Sequence, residues 1–243
     1  MRLTNKPMDN APHNDEPLSF NLSGVWAGVK QSIPINIGVF TYGLVFGILA
    51  RQAGLSLTES LLMSGLVFAG ASQFTALGLW VAPLPVLTII LTTLLVNLRL
   101  LLMGAVLHPW FSRLNFFQRY VSLFFMTDES WALTMSQFAK GKRNAAFLLG
   151  SGLTVFVAWT SATGIGRTIG SVLQDPSRLG LDFAFTAVFI ALLVGLWKGK
   201  ADILPWIVAA IVALIAAQWL PGKWYILCGG LAGSLIGALR HAD

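Results

Sequence analysis

Residues 60–98 contain no Asp, Glu, Lys or Arg, and after Arg99 the next full charge is Arg113. Apolar sequence of this length calls for a bilayer as its solvent, in which about 20 such residues make one spanning helix. Arg99 falls a little past the middle of the apolar stretch 84–107, where a cation costs roughly 2.5–3.5 kcal/mol on insertion scales. A residue placed there faces a partner, a water-filled cavity or a substrate. The chain is therefore expected to be a membrane protein that handles something polar.

Composition agrees: 11% of the residues are charged and mean hydropathy is +0.73, against about 25% charged in a soluble domain. The net charge of +6 does not indicate nucleic acid. The Lys and Arg stand singly or in short clusters between apolar segments (Lys140, Lys142, Arg143; Lys198, Lys200), as topology determinants do, and no basic face is interleaved with aromatics. Cys228 is the single cysteine, and His13, His108 and His241 are too dispersed to hold a metal. Neither a metal nor a cofactor is expected.

The expected fold is all-α, a polytopic membrane bundle of seven or eight transmembrane segments. Residues 1–19 read as a disordered cytoplasmic tail, rich in Pro, Asn and acidic residues and without the apolar core of a secretory signal. Residues 20–243 form the membrane domain. Spans are expected at 26–50, broken or kinked at Pro34, at 59–81, and at 84–107. Others follow at 145–171, 180–197, 201–220 and 225–239. Segment 120–139 is a membrane thickness long but interrupted by Thr127, Asp128 and Glu129, so it reads either as a polar-lined span or as a re-entrant element. With eight spans, nine Lys and Arg fall on the side of the N-terminus and six on the other, favouring both termini in the cytoplasm. Gly54-Leu55-Ser56 and Gly180-Leu181-Asp182 open two apolar segments alike and suggest an internal repeat.

Four polar clusters lie at membrane depth: Gly70-Ala71-Ser72-Gln73, Asn97-Leu98-Arg99, Thr127-Asp128-Glu129, and Asp182. The small residues Gly70, Ala71 and Ser72 let a ligand approach the backbone, and Gln73 offers two donors and an acceptor. Asn97 and Arg99 point about 200° apart on a regular helix, so each meets a different neighbour unless the helix unwinds. Together they suit an amino-acid-like substrate. Gly70, Ser72, Gln73, Asn97 and Arg99 are candidates for binding it, with Arg99 holding a carboxylate as a planar fork. Asp128 and Glu129 would hold the amine, carry a coupling proton or act as a gate. Arg99 paired with Asp128 or Glu129 as a packing lock is the competing reading. Asp182 also reads as a solvated helix start, and Gly229, Gly233 and Gly237 as a close-packing face. No Gly-x-x-x-x-Gly-Lys-Ser/Thr loop is present for ATP. His108 sits beside Pro109 at an interface, unsuited to a serine protease, and adjacent carboxyls on one helix diverge by about 100°, wrong for an aspartyl dyad. The chain is not expected to be an enzyme.

Four motifs in order, Phe68-Ala69-Gly70-Ala71-Ser72-Gln73-Phe74, Val96-Asn97-Leu98-Arg99, Phe125-Met126-Thr127-Asp128-Glu129 and Leu179-Gly180-Leu181-Asp182-Phe183-Ala184, resemble the AzlC family, the large subunits of bacterial branched-chain amino acid exporters. Where that family has His after the Arg, this chain has Leu100. The resemblance implies a permease of the cytoplasmic membrane that works with a small AzlD-like membrane subunit and exports valine, leucine or isoleucine. A secondary transporter driven by protons or the membrane potential is the leading expectation. A non-transporting scaffold or assembly subunit of a two-component transporter is the alternative.

Overall fold

In the computed structural model, residues 17–172, 203–220 and 224–240 are described, with isolated positions 190, 194, 199 and 200. The expected span at 180–197, Asp182, the proposed Gly180 repeat and most of the N-terminal tail lie outside the described residues.

Asn21 starts helix α1 (Leu22–Gln52) by accepting the Gly24 N–H, satisfying one of the donors a helix start leaves open. α1 continues through Pro34 without breaking. The next long helix is α4 (Val86–Phe111), followed later by α7 (Ala146–Val172). These three are each apolar and long enough to cross a bilayer, α7 over Ala146–Gly170.

α1 and α7 run side by side in the same direction. Ser19 N–H donates to the Arg143 carbonyl (2.9 Å) and Ala145 N–H to the Ser19 carbonyl (2.8 Å), pinning the two helix starts together. Further along, Gly28 lies against the backbone of Phe147 and Ser151, and Gly47 against that of Thr163 and Arg167. A Cβ at either glycine would overlap a carbonyl oxygen, so the backbones meet at a distance only glycine permits. Gly43, four residues before Gly47, lies against Trp159 and Ala162 on the same face.

The segment expected as one span at 59–81 is two half-helices, α2 (Leu57–Leu66) and α3 (Gly70–Gly78). They do not continue one another. The Leu55 carbonyl accepts from Arg167 Nε near the end of α7 (2.7 Å), Ser64 meets Thr163 one turn earlier, and Phe68 stacks edge-on against Phe156 halfway along α7. The chain then turns back: Phe74 packs edge-on to Phe46, and Leu77 rejoins Leu49, Ala50 and Leu55 in one cluster. A straight helix would separate Ser64 from Gln73 by about 13 Å of rise, yet Gln73 Nε2 donates to Ser64 Oγ at 3.1 Å. α2–α3 is a re-entrant hairpin.

Segment 120–139 resolves the same way, as α5 (Phe116–Phe124) and α6 (Asp128–Ala139). Its tip residue Phe125 lies beside Phe156 and Gly152 at mid-depth. Phe138 then returns to Phe111, Ala145 and Leu148, where α4 ends and α7 begins. This hairpin enters from the opposite face. The limbs, about 14–18 Å long, reach roughly half the hydrocarbon core, and the tips touch, with the Phe68 and Phe125 ring centroids 6.4 Å apart.

The pattern of α1 followed by α2–α3 recurs, inverted, as α4 followed by α5–α6. The two hairpins begin five residues after helices ending at Gln52 and Phe111, and both break for three residues, 67–69 and 125–127. Even the entry chemistry repeats: Leu55-Ser56 with Glu59 corresponds to Leu114-Asn115 with Gln118, and Ser56 and Asn115 both cap their helices. This inverted pair is the repeat visible among the described residues, and it differs from the one expected at Gly180.

The turn-back alters the charge count. Arg113, Arg119, Lys140, Lys142 and Arg143 all lie at the face where α1 begins, against Arg51 and Arg167 at the other. Among these seven loop and helix-end cations, five against two is the asymmetry that the positive-inside rule associates with a cytoplasmic face. Helices α8 (Ile203–Trp219) and α9 (Trp224–Arg240) complete the described fold as a close pair. Gly229 and Gly233 lie against Ala209, Ala213 and Pro205.

Gly28→Leu should destabilise the α1–α7 contact by 1–3 kcal/mol or more, of order an overpacked core, whereas Gly104→Ala, which meets nothing within 4 Å, should be neutral. Thermal unfolding in detergent with monodispersity as the second readout checks both; equal behaviour of the two variants would contradict the packing described.

Candidate binding site

The hairpin tips, α1, α4 and α7 enclose a cavity of about 270 Å³. Roughly 300–1,000 Å³ is usual for drug-sized ligands, so this one suits a smaller molecule. Its walls are mainly apolar and aromatic, with Val39 and Tyr42 from α1, Phe68 and Phe74 from the first hairpin, and Val155 and Trp159 from α7. Its polar groups come from three places: the start of α3, Arg99 of α4, and the start of α6.

The two half-helix starts are electrostatic opposites. Each carries the partial positive charge of a helix N-terminus. At α3 nothing offsets it: Ala69 gives no side-chain cap, Gln73 N–H is the first to reach a helical acceptor, and Gly70 and Ala71 line the cavity. An uncapped helix start of this kind is chemically suited to an anion. The approach is set by Phe68, held at φ +42, a left-handed conformation that costs an aromatic residue roughly 1–2 kcal/mol. At α6 the start is closed: Ser130 N–H donates to Thr127 Oγ1 (3.3 Å), Thr127 N–H donates to Ser130 Oγ (2.8 Å), and Asp128 and Glu129 occupy the first turn.

Arg99 spans the two. Its NH2 group lies 2.9 Å from Asp128 Oδ2, both side chains half-exposed at 36% and 45%, and its Nε is buried with no hydrogen-bond partner. α4 stays regular through this region, so Asn97 faces elsewhere: Ser72 Oγ donates to Asn97 Oδ1 at 2.6 Å. That contact lies in a separate apolar groove between α4 and the first hairpin. Gln73, fully buried, is bonded to Ser64. Of the residues singled out from sequence, Gly70, Arg99, Asp128 and Glu129 meet around the cavity, and Leu100 joins them where the family carries His. Ser72, Asn97 and Gln73 lie behind its walls. Tyr42, which the sequence offers with Pro34, Asn36 and Gly43 as part of a helix wall, does line the cavity; Trp159 was not legible as a cavity residue, because nothing in its apolar surroundings marks it, and the capping signal at Thr127 was the available clue to the second break. Among the described residues no group of His, Cys, Asp and Glu is placed to hold a metal ion.

Residues 34–173, the stretch containing both hairpins and the cavity, match the family model described as AzlC protein. The chain belongs to the AzlC family. It is 33% identical over 175 residues to an uncharacterized membrane protein of Archaeoglobus fulgidus, covering 71% of this chain and 76% of that protein. It is 26% identical to the branched-chain amino acid transport protein AzlC of Bacillus subtilis, over 72% and 70% of the two chains. It is also 28% identical to the inner membrane protein YgaZ of Escherichia coli, over 88% and 89%. No solved structure matches the chain. With its apolar helices this AzlC-family chain is a multi-pass membrane protein.

Asp128→Asn should leave Arg99 unpaired and lower stability by about 1 kcal/mol, a value discounted for exposure. Arg99→Gln combined with it should cost less than the two single changes added together. Melting of the four proteins in detergent measures the coupling; strictly additive losses would contradict a direct pair.

Proposed function

We propose that this AzlC-family chain is the transport subunit of a secondary exporter of branched-chain amino acids, valine, leucine and isoleucine, in the cytoplasmic membrane. The observation that carries the reading is the polarity of the cavity: an uncapped helix start at one side, a carboxylate pair at the other with the Arg99 guanidinium against it, and apolar walls around them. That is the complement of a zwitterion bearing an apolar side chain. The substrate carboxylate is received by Arg99 and the Gly70–Ala71 backbone, and the ammonium group by Asp128. The substrate thus inserts into the Arg99–Asp128 pair rather than meeting it intact. Ser72, Asn97 and Gln73 then act by holding the first hairpin and α4 in place. The name of the Bacillus subtilis relative supports the substrate class.

Export requires a driving force, which the proton gradient or the membrane potential supplies. One net charge moved through 100 mV yields about 2.3 kcal/mol, a gradient of roughly forty- to fiftyfold. Asp128 and Glu129 are the groups that carry the proton. A small AzlD-like membrane subunit completes the working transporter.

The experiment is radiolabelled valine counterflow in proteoliposomes, with and without that subunit. Arg99→Lys, which keeps the charge but loses the fork, should cut exchange at least about tenfold, the equivalent of a charge-assisted hydrogen bond, while inserting normally. Full exchange by that variant would eliminate the carboxylate clamp. Asp128→Asn should abolish accumulation against a gradient and flatten its pH dependence; unchanged accumulation would remove Asp128 from coupling.

A further inference from the structure

The inverted pair of hairpins supplies something the binding cavity alone does not: two separate barriers, one on each side of it. The α2–α3 hairpin enters from the outer face and the α5–α6 hairpin from the cytoplasmic face. Their tips meet at Phe68 and Phe125, both packed on Phe156 of α7 with ring centroids 4.9 and 5.2 Å away. The two hairpins thus reach the cavity from opposite faces.

The two are fastened differently. In the outer hairpin, Gln73 Nε2 of α3 donates to Ser64 Oγ of α2 (3.1 Å), the Ser64 hydroxyl meets Thr163 Oγ1 of α7 (3.0 Å), and Thr163 Oγ1 donates to the Trp159 carbonyl (2.9 Å). Gln73, Ser64 and Thr163 are all fully buried. This relay ties both limbs to the helix that forms the cavity's back wall, and none of its three side chains lines the cavity. In the cytoplasmic hairpin the tip is held by the Asp128–Arg99 pair, inside the cavity itself, while further along α6 Trp131 Nε1 donates to the Met103 carbonyl (3.1 Å) and Gln137 Nε2 to Gln31 Oε1 (2.8 Å). A glycine in the left-handed region stands at an outer end of each hairpin, Gly54 at φ +85 and Gly141 at φ +80, where rotation meets no side-chain obstacle.

We propose that the hairpins are the two gates of the cavity, and that Gln73, Ser64 and Thr163 form the latch of the outer one. The proposal rests on the transport reading for its purpose. A zwitterion arriving from the cytoplasm competes for Arg99 and Asp128, so it acts directly on the cytoplasmic gate, while the outer gate stays shut behind a latch the substrate does not touch. Such an order suits export.

The test reads exposure rather than transport. Cys228 is the only native cysteine, so Cys228→Ala with Val39→Cys puts one thiol on the α1 wall of the cavity, outside both hairpins. In the full chain, reconstituted in one orientation, a membrane-impermeant maleimide is applied to each face in turn. Thr163→Val should raise the labelling rate from the outer face about three- to tenfold, the range set by one interhelical hydrogen bond in a membrane, and leave the cytoplasmic face unchanged. Ser64→Ala provides the same break from the other partner if Thr163→Val assembles poorly. Asp128→Asn should raise labelling from the cytoplasmic face instead. Equal increases at both faces, or none with the outer latch broken, would overturn the gates. Expected labelling, with vesicles of the unsubstituted chain exchanging no amino acid, would leave the gates standing and overturn the transport reading; exchange by the unsubstituted chain with unchanged labelling of the thiol variants would do the reverse.

Discussion

A polypeptide that interrupts a helix at the middle of a bilayer exposes N–H and C=O groups where water is absent, at several kcal/mol for each one left unpaired. Among the described residues this chain does so at 67–69 and at 125–127, and the architecture around the cavity follows from that constraint. Both breaks are enclosed by α1, α4 and α7, and both sit at the wall of one cavity. The close contact of α1 with α7 provides the rigid frame. Glycine brings the two backbones together there, so the frame has no room to slide.

The hairpins share a backbone plan but not a charge plan. The α3 start has no side-chain cap, whereas the α6 start is capped by Thr127 and Ser130 and adds two carboxylates. Both strained and electrostatic costs fall at this one place: the left-handed Phe68 and an arginine at membrane depth. Such costs persist where the surrounding structure enforces them, which is why they point to a working site rather than to packing.

Much of the site was readable because expensive residues stand out in apolar sequence. Arg99, Asp128 and Glu129 had to find partners, and Arg99 and Asp128 found each other. The ambiguity at 120–139 was a real one, since a capped acidic start in the middle of an apolar segment fits a span or a hairpin equally well. Segment 59–81 misled for the opposite reason: its break falls at Val67-Phe68-Ala69, residues with no polar signal, and its hydropathy is that of a continuous span. Gln73 and Asn97 were visible as polar groups at depth, but their direction depends on which helix lies opposite.

The sequence by itself determined the solvent, the helical class, the family and the residues too polar to be idle, because each depends on composition or short spacing. Only the tertiary structure decided that two apolar segments turn back at half depth and that they form an inverted pair. It also decided which face collects the positive charge, and that Arg99 and Gly70 share a cavity while Asn97 does not. Those outcomes depend on contacts between residues tens of positions apart, Phe74 with Phe46 and Phe138 with Phe111 among them. Local hydropathy is the same whether a half-helix continues or reverses; the partner that covers it makes the difference.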